Sequence, residues 1–191
     1  MSTNSLVAYL RKEDNSVVTS YVHYDGHTTG VGEMLLENYN TDKCARDLAS
    51  CLGYASSLRE TVFDSHEDRA NSDVAETYES YEDFEEYIRE CTHLEYVYVW
   101  DSHEDRWVVA TWETTKKKVH NGTCFDYEFE SHWNGFEDLV TVYVREGKET
   151  VKRMRKLVEE GSESDYAMYA DTLEESVSKL LTRPPKGGLF V

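Results

Sequence analysis

The chain has 191 residues, of which 39% are hydrophobic and 13% aromatic, and that ring content excludes a disordered chain. Its 38 Asp and Glu against 20 Lys and Arg give a net charge of −18. Such a field repels phosphate backbones and anionic lipid and attracts basic surfaces, so the expected partner is a basic protein, with no direct nucleic-acid binding and no membrane.

The length matches one domain of roughly 100–200 residues, which predicts a single acidic domain over residues 1–183. Pro184-Pro185 then leaves residues 184–191 as a loose tail. The opening MSTNSLVAYLRKED lacks the basic start and apolar run of a signal peptide, and no stretch approaches the roughly 20 apolar residues of a membrane span. Ser5–Arg11 and Ser16–Tyr24 are β-branched or aromatic around the turn-forming Glu13-Asp14-Asn15, which predicts an opening hairpin. The glycine-rich run Asp25–Gly32 leads into a short amphipathic helix over Glu33–Tyr39. Asn40-Thr41-Asp42 breaks that helix and caps a second one, which Gly53 ends. Residues 64–79 are polar and read as a loop. Ser80 is a candidate cap for a helix over Tyr81–Cys91, with Tyr81, Phe84, Tyr87 and Ile88 on its apolar face. Leu94–Trp100 and Arg106–Trp112, joined by Asp101–Asp105, are the clearest hairpin, and residues 124–130 alternate as one more strand. Helices are expected over 136–160 and 164–182. Gly147 makes continuity of the first an open point. Strand pairs interleaved with helices and a helical C-terminus indicate an α+β fold.

Four cysteines, Cys44, Cys51, Cys91 and Cys124, form no CxxC pair. Cys44 and Cys51 share a helix face, a spacing that suits small buried residues better than a zinc site, and reduced thiols suit a cytoplasmic setting. Lys116-Lys117-Lys118, ahead of Asn121-Gly122, reads as a solvated hairpin end. No Gly-x-Ser-x-Gly, His-Glu-x-x-His or catalytic cysteine signature occurs, so the expectation leans away from an enzyme, and no pattern calls for a cofactor.

Three features stand out. The first is Tyr21-Val22-His23-Tyr24-Asp25-Gly26, followed by Gly30, Gly32, Leu35 and Tyr39. A strand ending before Gly-x-Gly and a helix can hold an anion on free backbone N–H groups, although the lysine and spacing of a P-loop are missing. His23, Asp25 and His27 alternate, and on a strand they would converge as metal ligands. The plain alternative is a structural corner in which Asp25-Gly26 makes the turn. With a Ser-Ser-Leu at 56–58, this segment resembles a family of small proteins found mainly in bacteriophages and mobile elements, whose signature runs aromatic-x-His-aromatic-Asp-Gly, Gly, then a Leu-rich helix ending near Tyr. The resemblance covers about residues 5–60, with Tyr24 where Trp or Phe is common. It implies a bacteriophage setting, hence the cytoplasm of an infected bacterium, and no particular reaction.

The second feature is an exact hexapeptide repeat, Asp64–Arg69 and Asp101–Arg106, each DSHEDR after an aromatic residue. Acidic turns, metal loops and partner-binding loops all remain open for it. The third is an acidic tract. Residues 60–105 carry sixteen Asp or Glu against two Arg, a local net charge of −14 interleaved with tyrosines. Carboxylates on a rigid scaffold can imitate duplex phosphates and compete for a basic groove. The expected partner-binding residues are therefore Glu76, Glu79, Tyr81, Glu82, Asp83, Glu85 and Glu86. The function this predicts is a bacteriophage-encoded inhibitor that decoys a basic nuclease, CRISPR effector or polymerase of the host. The alternative is a small metal- or nucleotide-binding enzyme, or a nucleotide-sequestering protein, built on His23, Asp25, Gly26, His27, Gly30 and Gly32. A homodimer is left open.

Overall fold

A computed structural model describes residues 3–66, 74–91, 93–120, 125–161 and 165–182. The chain forms two compact parts, Met1–Leu139 and Val140–Val191, each described by itself. The fold is α+β, and the described residues form an eight-stranded mixed sheet and five α-helices.

The hydrophobic runs at the N-terminus become β1 (Ser5–Leu10) and β2 (Val17–Val22), an antiparallel hairpin in which Leu6 faces Tyr21 and Ala8 faces Thr19. Its turn uses Asn15 in the left-handed region at φ 57°, a conformation that Asn tolerates better than most residues. A π-helical turn over Thr28–Gly32 feeds α1 (Glu33–Asn38). Helix α2 (Asp42–Cys51) starts where the Thr41 side chain accepts the Cys44 N–H. β3 (Tyr54–Ala55) and β4 (Glu76–Tyr78) are short strands on the outer edge of β2, parallel and antiparallel to it respectively. Helix α3 spans Tyr81–Glu90.

Strand β5 (Tyr96–Asp101) lies parallel to β1 and antiparallel to the first half of β6 (Arg106–His120). The second half of β6 runs on as a two-stranded ribbon with β7 (Phe125–Trp133). Lys116–Lys118 therefore stand within a strand, in register with Tyr127–Phe129. β8 (Glu137–Asp138) returns to β6, and α4 (Leu139–Glu159) and α5 (Asp165–Thr182) complete the chain.

Alternation along the strands sorts the side chains into two cores. On one face Leu6, Ala8, Val17, Val97 and Val99 pack with Phe84, Ile88 and Cys91 from α3 and its end. On the other, Ser20 Oγ donates to the Ala49 carbonyl of α2, and Trp107 Nε1 to the carbonyl of Tyr39. The first part is thus a sheet between α3 and the α1–α2 pair.

Three expectations need correction, and one open point is settled. Residues 64–79 are not all loop, because Glu76–Tyr78 complete the β2 edge as β4. The helix expected over 136–160 begins at Leu139, since Glu137 and Asp138 pair with Val109 and Val108 first. It runs through Gly147 without a break. A Cβ there would lie 2.7 Å from Val177 Cγ2, so the missing side chain lets α5 approach α4. Cys51 is exposed and Cys44 half-buried, since α2 buries Ala45, Leu48 and Ala49 instead. Among the described residues Cys44, Cys51 and Cys91 form no disulfide, while Cys124 and the tail at 184–191 lie outside them.

Candidate functional site

The acidic face is built on β4 and α3. Ser80 sits in extended conformation (φ −139°) and its Oγ accepts the Asp83 N–H at 3.1 Å. The same hydroxyl donates to the Asp83 carboxylate at 2.7 Å, so Asp83 is engaged in capping the helix it starts. Phe84 and Ile88 then point to the sheet and are buried, which turns Glu82, Glu86 and Glu90 outward on successive turns, all exposed. Glu85 is half-buried and bridged to Arg89 at 2.8 Å. Glu79 is exposed just ahead of the cap. Glu76 on β4 accepts the Tyr78 hydroxyl at 2.9 Å. Glu79, Glu82 and Glu86 have no ion-pair partner among the described residues.

Tyr81, expected as an aromatic anchor, is half-buried with its ring 6.0 Å from Phe84 and 6.5 Å from Phe136. Burial, and then the Glu85 charge, push its hydroxyl up to about 12. Tyr87 is pushed up to about 12 as well, first by burial.

Charge density decides what this face can do. Ten residues of α3 span about 15 Å and carry five carboxylates, about one per 3 Å. One strand of duplex DNA carries a charge every ~3.4 Å. With Arg89 subtracted, α3 falls to about one net charge per 4 Å, close to a single strand and well below the duplex.

The His23–Gly32 segment is a corner that consumes its own donors. Asp25 takes the left-handed region at φ 59°. Gly26 makes the close approach, because a Cβ there would lie 2.5 Å from the Thr3 carbonyl oxygen. Its N–H donates to that carbonyl, and its own carbonyl accepts the buried Tyr98 hydroxyl at 2.8 Å. The N–H groups of Gly30, Val31 and Gly32 donate to the carbonyls of His27, Asp25 and His27. The Gly-x-Gly donors that would bind an anion are thus already bonded inside the corner. A Cβ on Gly30 would meet the Asp25 carbonyl at 2.3 Å and His27 Cε1 at 2.8 Å.

His23 lies beyond the last residue of β2, so the strand alternation expected to align it with Asp25 and His27 does not extend to them. Its Nδ1 is 3.2 Å from the Tyr21 hydroxyl and its ring packs edge-on against Tyr24, whereas His27 Nδ1 meets Thr29 Oγ1. Among the described residues, no three His, Cys, Asp or Glu gather in a metal-binding arrangement.

The second hexapeptide forms the tight β5–β6 turn. Asp101 Oδ1 accepts the His103 N–H at 2.9 Å, Ser102 is buried, Asp105 is left-handed at φ 51°, and Arg106 pairs with Glu104 and Asp138. In the first copy Asp64–His66 form a 3-10 turn. Its buried Ser65 accepts the Arg59 N–H and donates to the Thr61 carbonyl, while Glu67–Arg69 lie outside the described residues.

Two features went unread in the sequence. A groove along α4 and α5 is basic on its α4 side, with Lys148, Lys152, Arg153, Arg155 and Lys156. Arg155 pairs there with Asp171 and Glu174 of α5. A cavity of about 320 Å³ opens at the β2 edge, where Tyr21, Tyr54, Glu76, Tyr87 and His93 converge. No helix among the described residues is long and apolar enough to cross a membrane. No protein-family model, curated protein or solved structure matches the chain.

Proposed function

We propose that this is an acidic binding protein that occupies the basic nucleic-acid groove of a partner protein and so inhibits it. The observation that carries the reading is the row of Glu79, Glu82 and Glu86, exposed and unneutralised on the outer side of β4–α3. Folding favours only part of that arrangement, because Glu82 in the first turn complements the helix dipole while the later carboxylates do not. The like-charge pairs Glu82–Glu86 and Glu86–Glu90 each destabilise the helix by about 0.2–0.5 kcal/mol, and Glu90 opposes the macrodipole at its C-terminal end. A row of exposed charge on a helix with the linear density of a nucleic-acid strand suits electrostatic competition with DNA or RNA. The bacteriophage-like motif at Tyr21–Tyr39 supports a partner among the nucleases, CRISPR effectors and polymerases of an infected bacterium. The N–H groups of Gly30, Val31 and Gly32 are already bonded within the corner, which favours this reading over a nucleotide-binding enzyme built on that glycine turn.

The test is charge reversal with a neutral control. The triple variant Glu79→Lys, Glu82→Lys, Glu86→Lys should lose capture of the partner, and the corresponding triple Gln variant should weaken it in part. Capture by the Lys variant at wild-type strength, with its fold intact by circular dichroism, would remove the proposal.

A further inference from the structure

The cavity at the β2 edge exists because β2 changes partner there. Tyr21 and Val22 pair with β3, Val17–Thr19 pair with β4, and between the two short strands the edge opens beside Gly53. Leu6 and Thr19, both buried, form the floor. Tyr21 and Tyr54, cross-strand neighbours with ring centroids 5.7 Å apart, form one wall, and His93 lies 6.2 Å from Tyr21. Tyr87 of α3 also lines the cavity. Glu76 stands opposite Thr19 in the β4 register, so it shares the face on which the cavity opens. One of its oxygens accepts the Tyr78 hydroxyl, which fixes the carboxylate and leaves the other oxygen for a ligand. Among the described residues no Lys or Arg lines the cavity.

Tyrosine faces attract cations, and a carboxylate at the rim adds a directed hydrogen-bond acceptor. Three such rings and one carboxylate select against anions, and Leu6 and Val74 add apolar surface that suits the methylenes of a long cationic side chain. The cavity's volume is at the small end of ligand sites, roughly 300 Å³, which suits a single side chain. Arginine, planar and able to stack on a ring while bonding a carboxylate, suits it better than lysine.

We propose that this cavity is the anchoring pocket for an arginine side chain of the partner, seated among Tyr21, Tyr54 and Tyr87 with its guanidinium on Glu76. The identity of the donor rests on the binding reading above. The pocket's preference for a guanidinium does not. The acidic face of α3 then supplies long-range attraction, and the pocket sets the register, as buried aromatic and arginine contacts do in other interfaces.

The test titrates the intact protein with Nα-acetyl-arginine amide, and separately with Nα-acetyl-norleucine amide as the uncharged comparison, following amide chemical shifts by NMR. The expected result is saturable shifts confined to the cavity lining, Tyr21, Gly53, Tyr54, Glu76, Tyr87 and His93 among them, with the norleucine probe at least about fivefold weaker. Glu76→Gln keeps an acceptor for Tyr78 and should weaken arginine binding while leaving norleucine binding unchanged. Equal binding of both probes, shifts centred on Glu82, Glu86 and Glu90 instead of the cavity lining, or no saturation would overturn the pocket. The two proposals fail separately. Glu82→Lys with Glu86→Lys should abolish partner capture yet leave the arginine shifts in place. Capture lost in that variant, together with a pocket indifferent to arginine, would sink the pocket alone. Capture retained alongside a responsive pocket would sink the acidic-face reading alone.

Discussion

At the corner between β2 and α1, Asp25 absorbs the left-handed turn while Gly26 lets two backbones touch. A methyl group on Gly26 meets a carbonyl oxygen of the main chain, which cannot swing aside as a side chain would. Gly26→Ala is therefore expected to cost about 2–3 kcal/mol, the upper part of the usual overpacking range, read as a lower urea midpoint at unchanged slope. Tyrosine hydroxyls give a second prediction at this scale. Burial pushes Tyr39 from its ordinary 10.0 up to about 12, and its hydroxyl donates to the Arg59 carbonyl. Tyr9, also pushed to about 12 by burial and then by its bond to Asp42, behaves alike. Below pH 10 both are protonated in folded and unfolded chains, and their contribution is complete. Between pH 10 and about 12 the unfolded chain releases protons that the folded one keeps, so stability falls as pH rises. Urea unfolding across that window, with tyrosinate absorbance recorded alongside, should show the decline, and a flat profile would contradict it.

Individual elements show what a sequence carries locally and what it does not. Both hairpins and the Ser80 cap were legible, because alternation, turn residues and a capping serine act between near neighbours. Thr41 and Ser80 each cap as expected, and Ser80→Ala should cost about 1 kcal/mol by thermal melting. β4 was not legible. Glu-Thr-Tyr has no pattern of its own and becomes a strand only because the β2 edge receives it. The parallel pairing of β1 with β5 was equally hidden, since it joins strands separated by the whole α1–α3 region. Gly147 left the continuity of α4 open for a related reason. Its intrinsic preference says break, whereas its packing against Val177 says keep. Gly147→Ala gains about 1 kcal/mol of helix propensity and meets an overpacking penalty of about 1–3 kcal/mol, so net destabilisation is expected in chemical denaturation.

For the whole molecule, the acidic tract was readable as a count but not as a surface. Only the structure divides it into Asp83, tied to the cap, Glu85, tied to Arg89, and the exposed row Glu79, Glu82 and Glu86. The β2-edge cavity draws on segments scattered from Leu6 to His93, so no local motif announced it. A net charge of −18 also acts on the fold itself, through self-repulsion that salt screens. The melting temperature should therefore rise as NaCl is raised from low to physiological levels.

The most direct test of the central claim is capture of a partner from bacterial lysate by the tagged protein, at low and at high salt, with duplex DNA as competitor. The account predicts one basic nucleic-acid-handling protein, displaced by DNA and released by salt. For about four ion pairs, affinity should fall by at most on the order of a hundredfold between 50 and 200 mM salt. A partner that survives high salt and ignores DNA would contradict it, and would leave the acidic face as a source of solubility alone.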